Sequence, residues 1–249
     1  MIDLKSPREI EILRECNQIV VEVLNTLKPL CVPGMTTLEL DKVAEELTRK
    51  RKARAAFKGY HGFPATLCTS INEEVVHGIP SSRRVLKKGD ILSIDYGVCY
   101  RGYYGDAALT VPIGSIPEDL EFLLQTTQEC LIRGIQKAVP GNHLSDISAA
   151  IQTHAEIRGF SLVKEFSGHG VGKSLHEEPA VLNYVANGRG IALRPGLVLA
   201  IEPMVNQGTD KIVVLNDGWT VVTKDGKCSA HFEHSVAITN HGPEILSLM

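Results

Sequence analysis

Apolar positions near the start of the chain fall at helical spacing: Ile10, Leu13, Val20, Leu24 and Leu27 form one stripe that stops at Pro29. Ser6-Pro7-Arg8-Glu9 marks where it begins, with a serine cap, proline at the first helical position and a glutamate that closes a capping box. A second helix is predicted from Thr36, with Glu39 three residues on and Leu40, Val43, Ala44 and Leu47 on its apolar face. Residues 117–139 predict a long helix striped by Leu120, Leu123, Leu124, Leu131 and Ile135, and residues 145–158 predict another. Between the two helix pairs the period drops toward two. In GDILSIDYGVCYRGYYGDAALT, residues 89–110, Ile91, Leu92, Ile94 and Val98 are strand formers, and glycines and Tyr-Gly pairs mark a turn. Ala107, Ala108, Leu109 and Val111 then resume the apolar run. Residues 57–77, rich in glycine and aromatics, predict a strand hairpin followed by a loop, with His77 at the strand end.

Asp95 and Asp106 stand inside those apolar runs. An unpaired carboxylate there is expensive, so it is paired, protonated or bound to metal. For a single aspartate, a turn cap or an arginine partner is the simpler reading. The second half changes the balance, because GLVLAIE at 196–202 repeats the rhythm of GDILSID at 89–95 with an offset of 107 (202 − 95). Val32-Pro33-Gly34 recurs as Val139-Pro140-Gly141 at the same offset. GDAALTV around Asp106 is loosely echoed by FEHSVAI around Glu233 at an offset of 127 (233 − 106), so about twenty residues are inserted between the second pair of strands. A duplicated chain of this kind packs about a pseudo-twofold axis on which Asp95, Asp106, Glu202 and Glu233 converge. Four carboxylates in a small space require a compensating cation, and two metal ions are expected.

Length and composition narrow the setting. A chain of 249 residues, 43% hydrophobic, can bury a substantial core. The net charge of −3 makes no electrostatic case for nucleic acid or an anionic membrane. The one basic cluster, Arg49-Lys50-Arg51-Lys52 with Arg54, reads as a solvated helix end. Met1-Ile2-Asp3-Leu4-Lys5 leads straight into a charged helix without a signal segment, and no apolar run approaches the roughly 20 residues that span a bilayer, so a cytoplasmic location is expected. Cys16, Cys31, Cys68, Cys99, Cys130 and Cys228 include no C-x-x-C pair and read as small core residues. The expected architecture is α+β, one domain over 1–249 with pseudo-repeat halves of about 1–115 and 116–249. The halves share one continuous curved antiparallel sheet covered by helices on one face.

Further chemistry is concentrated in Gly168-His169-Gly170-Val171-Gly172 and His176-Glu177-Glu178-Pro179. A histidine between glycines lets backbone approach a ligand, and neutral imidazole suits a carboxylate metal cluster, although one such histidine alone is more often a turn residue. HGIP at 77–80, SIDYG to GD at 93–106, SGHGVG at 167–172, HEEP at 176–179, IEPM at 201–204 and FEHS at 232–235 follow one another in an ordered set. Together they closely resemble the type I methionine aminopeptidases, metallopeptidases of the pita-bread fold shared with proline dipeptidases and creatinase.

That resemblance implies a metalloexopeptidase that removes N-terminal methionine when the second residue is small, using water activated by two divalent ions (Co, Mn, Fe or Zn). By it, Asp95, Asp106, His169, Glu202 and Glu233 are the metal ligands, with Asp106 and Glu233 bridging. Glu202 also acts as the proton shuttle, His176 hydrogen-bonds the tetrahedral intermediate and His77 contacts the scissile amide. The methionine pocket maps onto Phe57, Tyr60, Phe63, Cys68, His77, Leu175, His176 and Trp219. Leu175 stands where many relatives have an aromatic and Phe57 where some have a smaller residue. Core packing is the competing role for Phe57, Phe63 and Trp219, and an ordinary turn for His77 and His176. A monovalent cation is implied near Asn72 and Ser229. His231 and His234 read as structural, supporting a ligand at most, and His61 lies beside the pocket without a role. Expected partners are N-terminal methionine peptides and nascent chains, with the ribosome a further candidate, for a monomeric enzyme needing neither membrane nor a specific nucleic acid. The alternatives are a proline-directed metallopeptidase of the same fold and a non-catalytic binding member.

Overall fold

The computed structural model describes residues 2–248. Helix α1 (Pro7–Leu27) carries the Ser6–Glu9 capping box, and α2 (Thr37–Lys50) carries an equivalent box at Thr36–Glu39. Strand β1 (Arg54–Ala55) precedes a hairpin of β2 (Cys68–Ile71) and β3 (Glu74–Val76), then the long hairpin of β4 (Ile91–Tyr100) and β5 (Tyr103–Pro112). Its turn residues Arg101 and Gly102 both have positive φ, 54° and 82°, the combination that matches strand twist in a two-residue hairpin. Helices α3 (Glu118–Lys137) and α4 (Leu144–Ile157) open the second half. There follow β6 (Ser161–Leu162), β7 (Gly168–Gly170), β8 (Glu177–Val181), β9 (Val198–Ile201), β10 (Met204–Asn206) and β11 (Ile212–Val214). The chain finishes with β12 (Val221–Thr223), β13 (Ser229–His231), β14 (Glu233–Thr239) and β15 (Gly242–Ile245).

Nine strands form one antiparallel sheet in the order β1-β4-β5-β14-β9-β7-β8, with β2 also on β4 and β15 also on β14. The halves join where β5 pairs β14. Side-chain alternation then separates packing from chemistry. Leu92, Ile94, Tyr96 and Val98 of β4 with Ala107, Leu109 and Val111 of β5 point toward α1 and α2 and form one core. Leu199 and Ile201 of β9 with Val236 and Ile238 of β14 form the other against α3 and α4. Strand register puts all of these on one face of the sheet.

The offset of 107 extends to whole elements. It relates both ends of α2 and α4 (144 − 37, 157 − 50), both ends of β1 and β6 (161 − 54, 162 − 55), and the starts of β4 and β9 (198 − 91). Two features differ from expectation. The hairpin expected over 57–77 occupies only 68–76 and follows its loop rather than preceding it. Gly59 and Gly62 at φ 87° and 89°, with His61 at 47°, keep residues 57–67 out of extended conformation. Two further three-stranded sheets, β13-β10-β6 and β11-β12-β3, are built mostly from the insertion in the second half. Pro203, without an N–H to continue the ladder, separates β9 from β10, and strands of two or three residues are too short to show alternation.

Tyr96 anchors the sheet to α2: its ring is fully buried and its hydroxyl lies 2.6 Å from Thr48 Oγ1. Thr48→Val leaves that phenol buried without a partner and is expected to cost about 1–3 kcal/mol. Urea unfolding of metal-free protein reads this, and an unchanged midpoint would remove the anchor from the account.

Candidate metal centre and substrate pocket

The opposite face of the same sheet carries the polar chemistry. Cys68, Asp95, Ala108 and Glu233 are in register across β2, β4, β5 and β14, and Asp106 lies two residues along β5 from Ala108 on the same face. His169 of β7 is opposite Ala200 of β9, which is opposite Ser235 of β14. Glu202 follows two residues after Ala200, beyond the end of the strand. Alanines at 108 and 200 leave room between the long acids. Gly97, opposite Asp106, is equally constrained, because a Cβ there would stand 2.8 Å from Phe57 Cε1 and 3.2 Å from Asp106 Oδ1.

This pleat gathers acids that ordinary burial would scatter. Asp106, His169 and Glu233 are buried and each offers a ligand atom within 4.8 Å of the others. His169 Nε2 lies 3.6 Å from Glu202 Oε1 and 3.9 Å from Asp106 Oδ2. The other ring nitrogen, Nδ1, is 2.9 Å from the Gly170 carbonyl, which can only accept, so Nδ1 carries the proton and Nε2 turns a lone pair toward the carboxylates. Asp95 Oδ1, Asp106 Oδ1 and Glu233 Oε1 are buried with no hydrogen-bond partner among the described residues. Orphaned oxygens beside an imidazole lone pair, oxygen-rich with one nitrogen, fit a divalent metal.

Without a cation the carboxyls hold protons. Burial pushes Asp95 up to about 7. Burial and then the charges of neighbouring acids drive Asp106 and Glu233 well above the usual carboxylate range. Glu202 goes the other way. Burial would raise it, but a hydrogen bond with His231 at 3.2 Å, with the attraction of His231 and His169, holds it below its ordinary value. His231 is therefore more than packing; it supports Glu202 from behind, while its backbone N–H donates to Thr110 Oγ1.

All thirteen residues nominated from the sequence line one cavity, with Asp95, Asp106, His169, Glu202 and Glu233 beside Phe57, Tyr60, Phe63, Cys68, His77, Leu175, His176 and Trp219. Phe57, Phe63, Cys68 and Leu175 form a small apolar cluster with Tyr60 and Trp219 packed against it. His77 adopts φ 61°, an uncommon conformation for a residue with a side chain, and stacks edge-on against Phe166 with centroids 5.3 Å apart. Burial lowers its pKa. His176 is held by a 2.7 Å hydrogen bond between its Nδ1 and the Tyr60 hydroxyl, and burial, then His169, pushes it down to about 4. Val76, Phe166, Ser167 and Met204 also line the cavity and were not read from the sequence. Ser167 and Met204 fall inside the SGHGVG and IEPM motifs, and Val76 and Phe166 directly precede motifs, which was their one signal. His61 is exposed with its ring 4.4 Å from Tyr60, and His234 points to the helix-packed face, 3.0 Å from Ser247 Oγ. Asn72 and Ser229 meet, Ser229 N–H donating to the Asn72 carbonyl at 2.8 Å. The Asn72 side chain is engaged by Asp90 and the Ile91 N–H, so backbone carbonyls and Ser229 Oγ, which donates to the Val205 carbonyl and keeps its lone pairs, are the oxygens left for a cation there.

Curvature of one antiparallel sheet and an acid-rich cluster opening on an apolar cavity define a metallopeptidase of the pita-bread fold. The chain belongs to metallopeptidase family M24, whose model matches residues 11–240, and within it to the methionine aminopeptidases. It is 52% identical over 249 residues to the methionine aminopeptidase of Clostridium perfringens, covering all of both chains. The crystal structure of the methionine aminopeptidase from Thermotoga maritima superposes with a TM-score of 0.98 at 44% identity, again over the whole of both chains. The prolidase from Pyrococcus furiosus shares the fold, with a TM-score of 0.78 at 23% identity over 99% of this chain and 65% of the prolidase.

The raised carboxyls give metal-free protein a signed pH dependence. Folded Asp95, Asp106 and Glu233 keep protons that the unfolded chain releases above about pH 4. Their stabilising contribution is complete below that pH and is lost as pH rises through about 7 and beyond. Each group costs up to about 1.4 kcal/mol per pH unit in that window. His77, His176 and His234, whose pKa values desolvation lowers, act in the opposite sense and His231, raised by Glu202, in the same one, so an Asp106→Asn, Glu233→Gln variant is the reference. Between about pH 5 and pH 8 in chelator, the Tm of the wild type is expected to fall relative to the variant, and divalent metal to reverse the difference. Parallel Tm curves in chelator would contradict the protonated cluster.

Proposed function

We propose that the protein removes N-terminal methionine from peptides and nascent chains whose second residue is small. The observation that carries this reading is the juxtaposition of the orphaned acid cluster with an aromatic and sulfur-lined apolar cavity. A thioether is polarisable and flexible, and Phe57, Phe63, Cys68, Leu175 and Trp219 offer it packing without asking for a hydrogen bond.

Two divalent ions, Mn, Fe, Co or Zn according to availability, are the proposed occupants, and Asp95, Asp106, His169, Glu202 and Glu233 would hold them. Bound there, the metal supplies Lewis acidity for the amide carbonyl and makes water a nucleophile near neutral pH. Glu202, kept ionised by His231, takes the proton of the attacking water and returns it to the leaving nitrogen. His176, its pKa pushed down to about 4 by desolvation at the cavity wall and by His169, is neutral and donates a hydrogen bond to the oxygen on which charge develops. His77, fixed by its backbone and by Phe166, reaches the scissile amide. The catalytic unit in this reading is a single domain of two related halves, about 1–115 and 116–249, since the acids come from both. It acts as a monomer in the cytoplasm on chains leaving the ribosome. Six free cysteines support a reducing compartment.

Met-Ala-Ser and Ala-Pro peptides with and without chelator test the reading. Metal-dependent release of methionine from the first is expected, whereas release ahead of proline, or no hydrolysis, would replace it with a proline-directed enzyme or a binding protein. Asp106→Ala and Glu233→Ala are expected to abolish activity, and His176→Ala to leave metal bound while slowing turnover roughly 10²-fold. Activity retained in either bridging variant would contradict the ligand assignment.

A further inference from the structure

A buried ammonium lies behind the pocket wall, and none of the chemistry above uses it. The Lys5 side chain is 1% exposed, and its Nζ donates to Glu177 Oε2 and Asp3 Oδ2, both at 2.6 Å. Glu177 is the residue after His176. Its second oxygen, Oε1, accepts from the Ser174 N–H at 3.1 Å, so one carboxylate closes the turn that presents Leu175 and His176 to the cavity. The lysine passes directly beneath that turn, because a Cβ on Gly172 would collide with its Cε. Its backbone is fixed independently, Lys5 N–H donating to the Gly196 carbonyl at 2.7 Å where the chain leads into β9. Held by its backbone to Gly196 and by its ammonium to Glu177, Lys5 ties the amino-terminal segment to a turn 172 residues further along the chain.

We propose that Lys5 is a positioning residue for His176, acting through Glu177 as a strut beneath the turn of residues 172–177. The proposal rests on the aminopeptidase reading of the site, and it adds the amino-terminal segment to the parts that set turnover. On the cavity side the His176 ring is held at one point, by the Tyr60 hydroxyl; the strut fixes the backbone from the other side. Without the ammonium, Glu177 is left part-buried and unpaired, and it turns to water and carries the neighbouring backbone with it. A histidine displaced by a fraction of an ångström still permits substrate binding in the apolar pocket but donates poorly to the reacting oxygen.

A double-mutant cycle on metal-loaded protein tests this with Met-Ala-Ser. Lys5→Met is expected to lower kcat about tenfold with KM changed less than about twofold and metal content unchanged, while Lys5→Arg stays within about threefold of the wild type. In a His176→Ala background, the same Lys5→Met change is expected to cost less than about twofold, since both act on one group. Should Lys5→Met fail to fold, Glu177→Gln, which removes the charge and keeps the shape, carries the same cycle. Equal losses in the two backgrounds, a loss explained by missing metal, or wild-type turnover in Lys5→Met would each overturn the proposal. A wild type that releases no methionine would instead overturn the functional reading.

Discussion

Four carboxylates in one cavity, shut away from water, repel one another, and among the described residues only Glu202 has a compensating partner, His231. Asp95 Oδ1, Asp106 Oδ1 and Glu233 Oε1 have no donor, and the nearest imidazole presents its lone pair rather than its N–H. The fold therefore holds an electrostatic deficit that only protons or a cation can fill. Holding it requires a rigid frame, and the sheet supplies one through its alternation. Each strand that contributes an acid turns its other face into a core sealed by helices, β4 and β5 against α1 and α2, β9 and β14 against α3 and α4. Slipping any strand by one residue would bury the acids in the core and expose its apolar residues, so the hydrophobic register and the site's geometry are the same constraint.

Around that deficit the environment differs from residue to residue, and the differences sort the roles. Asp106 and Glu233 sit where burial and like charge dominate, and they favour protons or metal. Glu202 lies only a short way across the same cavity, yet His231 keeps it ionised and hence basic. Desolvation at the cavity wall keeps His77 and His176 neutral near physiological pH, where an imidazole can act as a directed donor. The apolar side of the cavity adds no charge of its own and so leaves selection to shape and polarisability.

Much of this arrangement was legible in the chain because its signals are local or repeated. The Ser6–Glu9 and Thr36–Glu39 boxes place two helices, and Arg101-Gly102 places the central turn. The offset of 107 pairs Asp95 with Glu202 from sequence alone, and the motif set contains the five metal-ligand candidates with His77 and His176, whereas Phe57, Tyr60, Phe63, Cys68, Leu175 and Trp219 lie outside it and rested on the family resemblance. What escaped has no such signal. Strands β10 to β13 are three residues each, too short for a period of two to show. The loop at 57–67 has aromatic content like a strand, but its positive φ angles make it irregular. Phe166 directly precedes the SGHGVG motif and Met204 closes IEPM, yet nothing local marks either as facing the cavity, and the Lys5–Glu177 contact joins residues so far apart that neither spacing nor propensity refers to it.

The most direct test of the account is anomalous diffraction at a manganese edge from crystals grown with ample Mn(II). The account predicts strong peaks between Asp106 and Glu233, within coordinating distance of Asp95 on one side and of His169 and Glu202 on the other. A cluster free of anomalous density, or Asp95 and Glu202 lying far apart with the metal elsewhere, would contradict it.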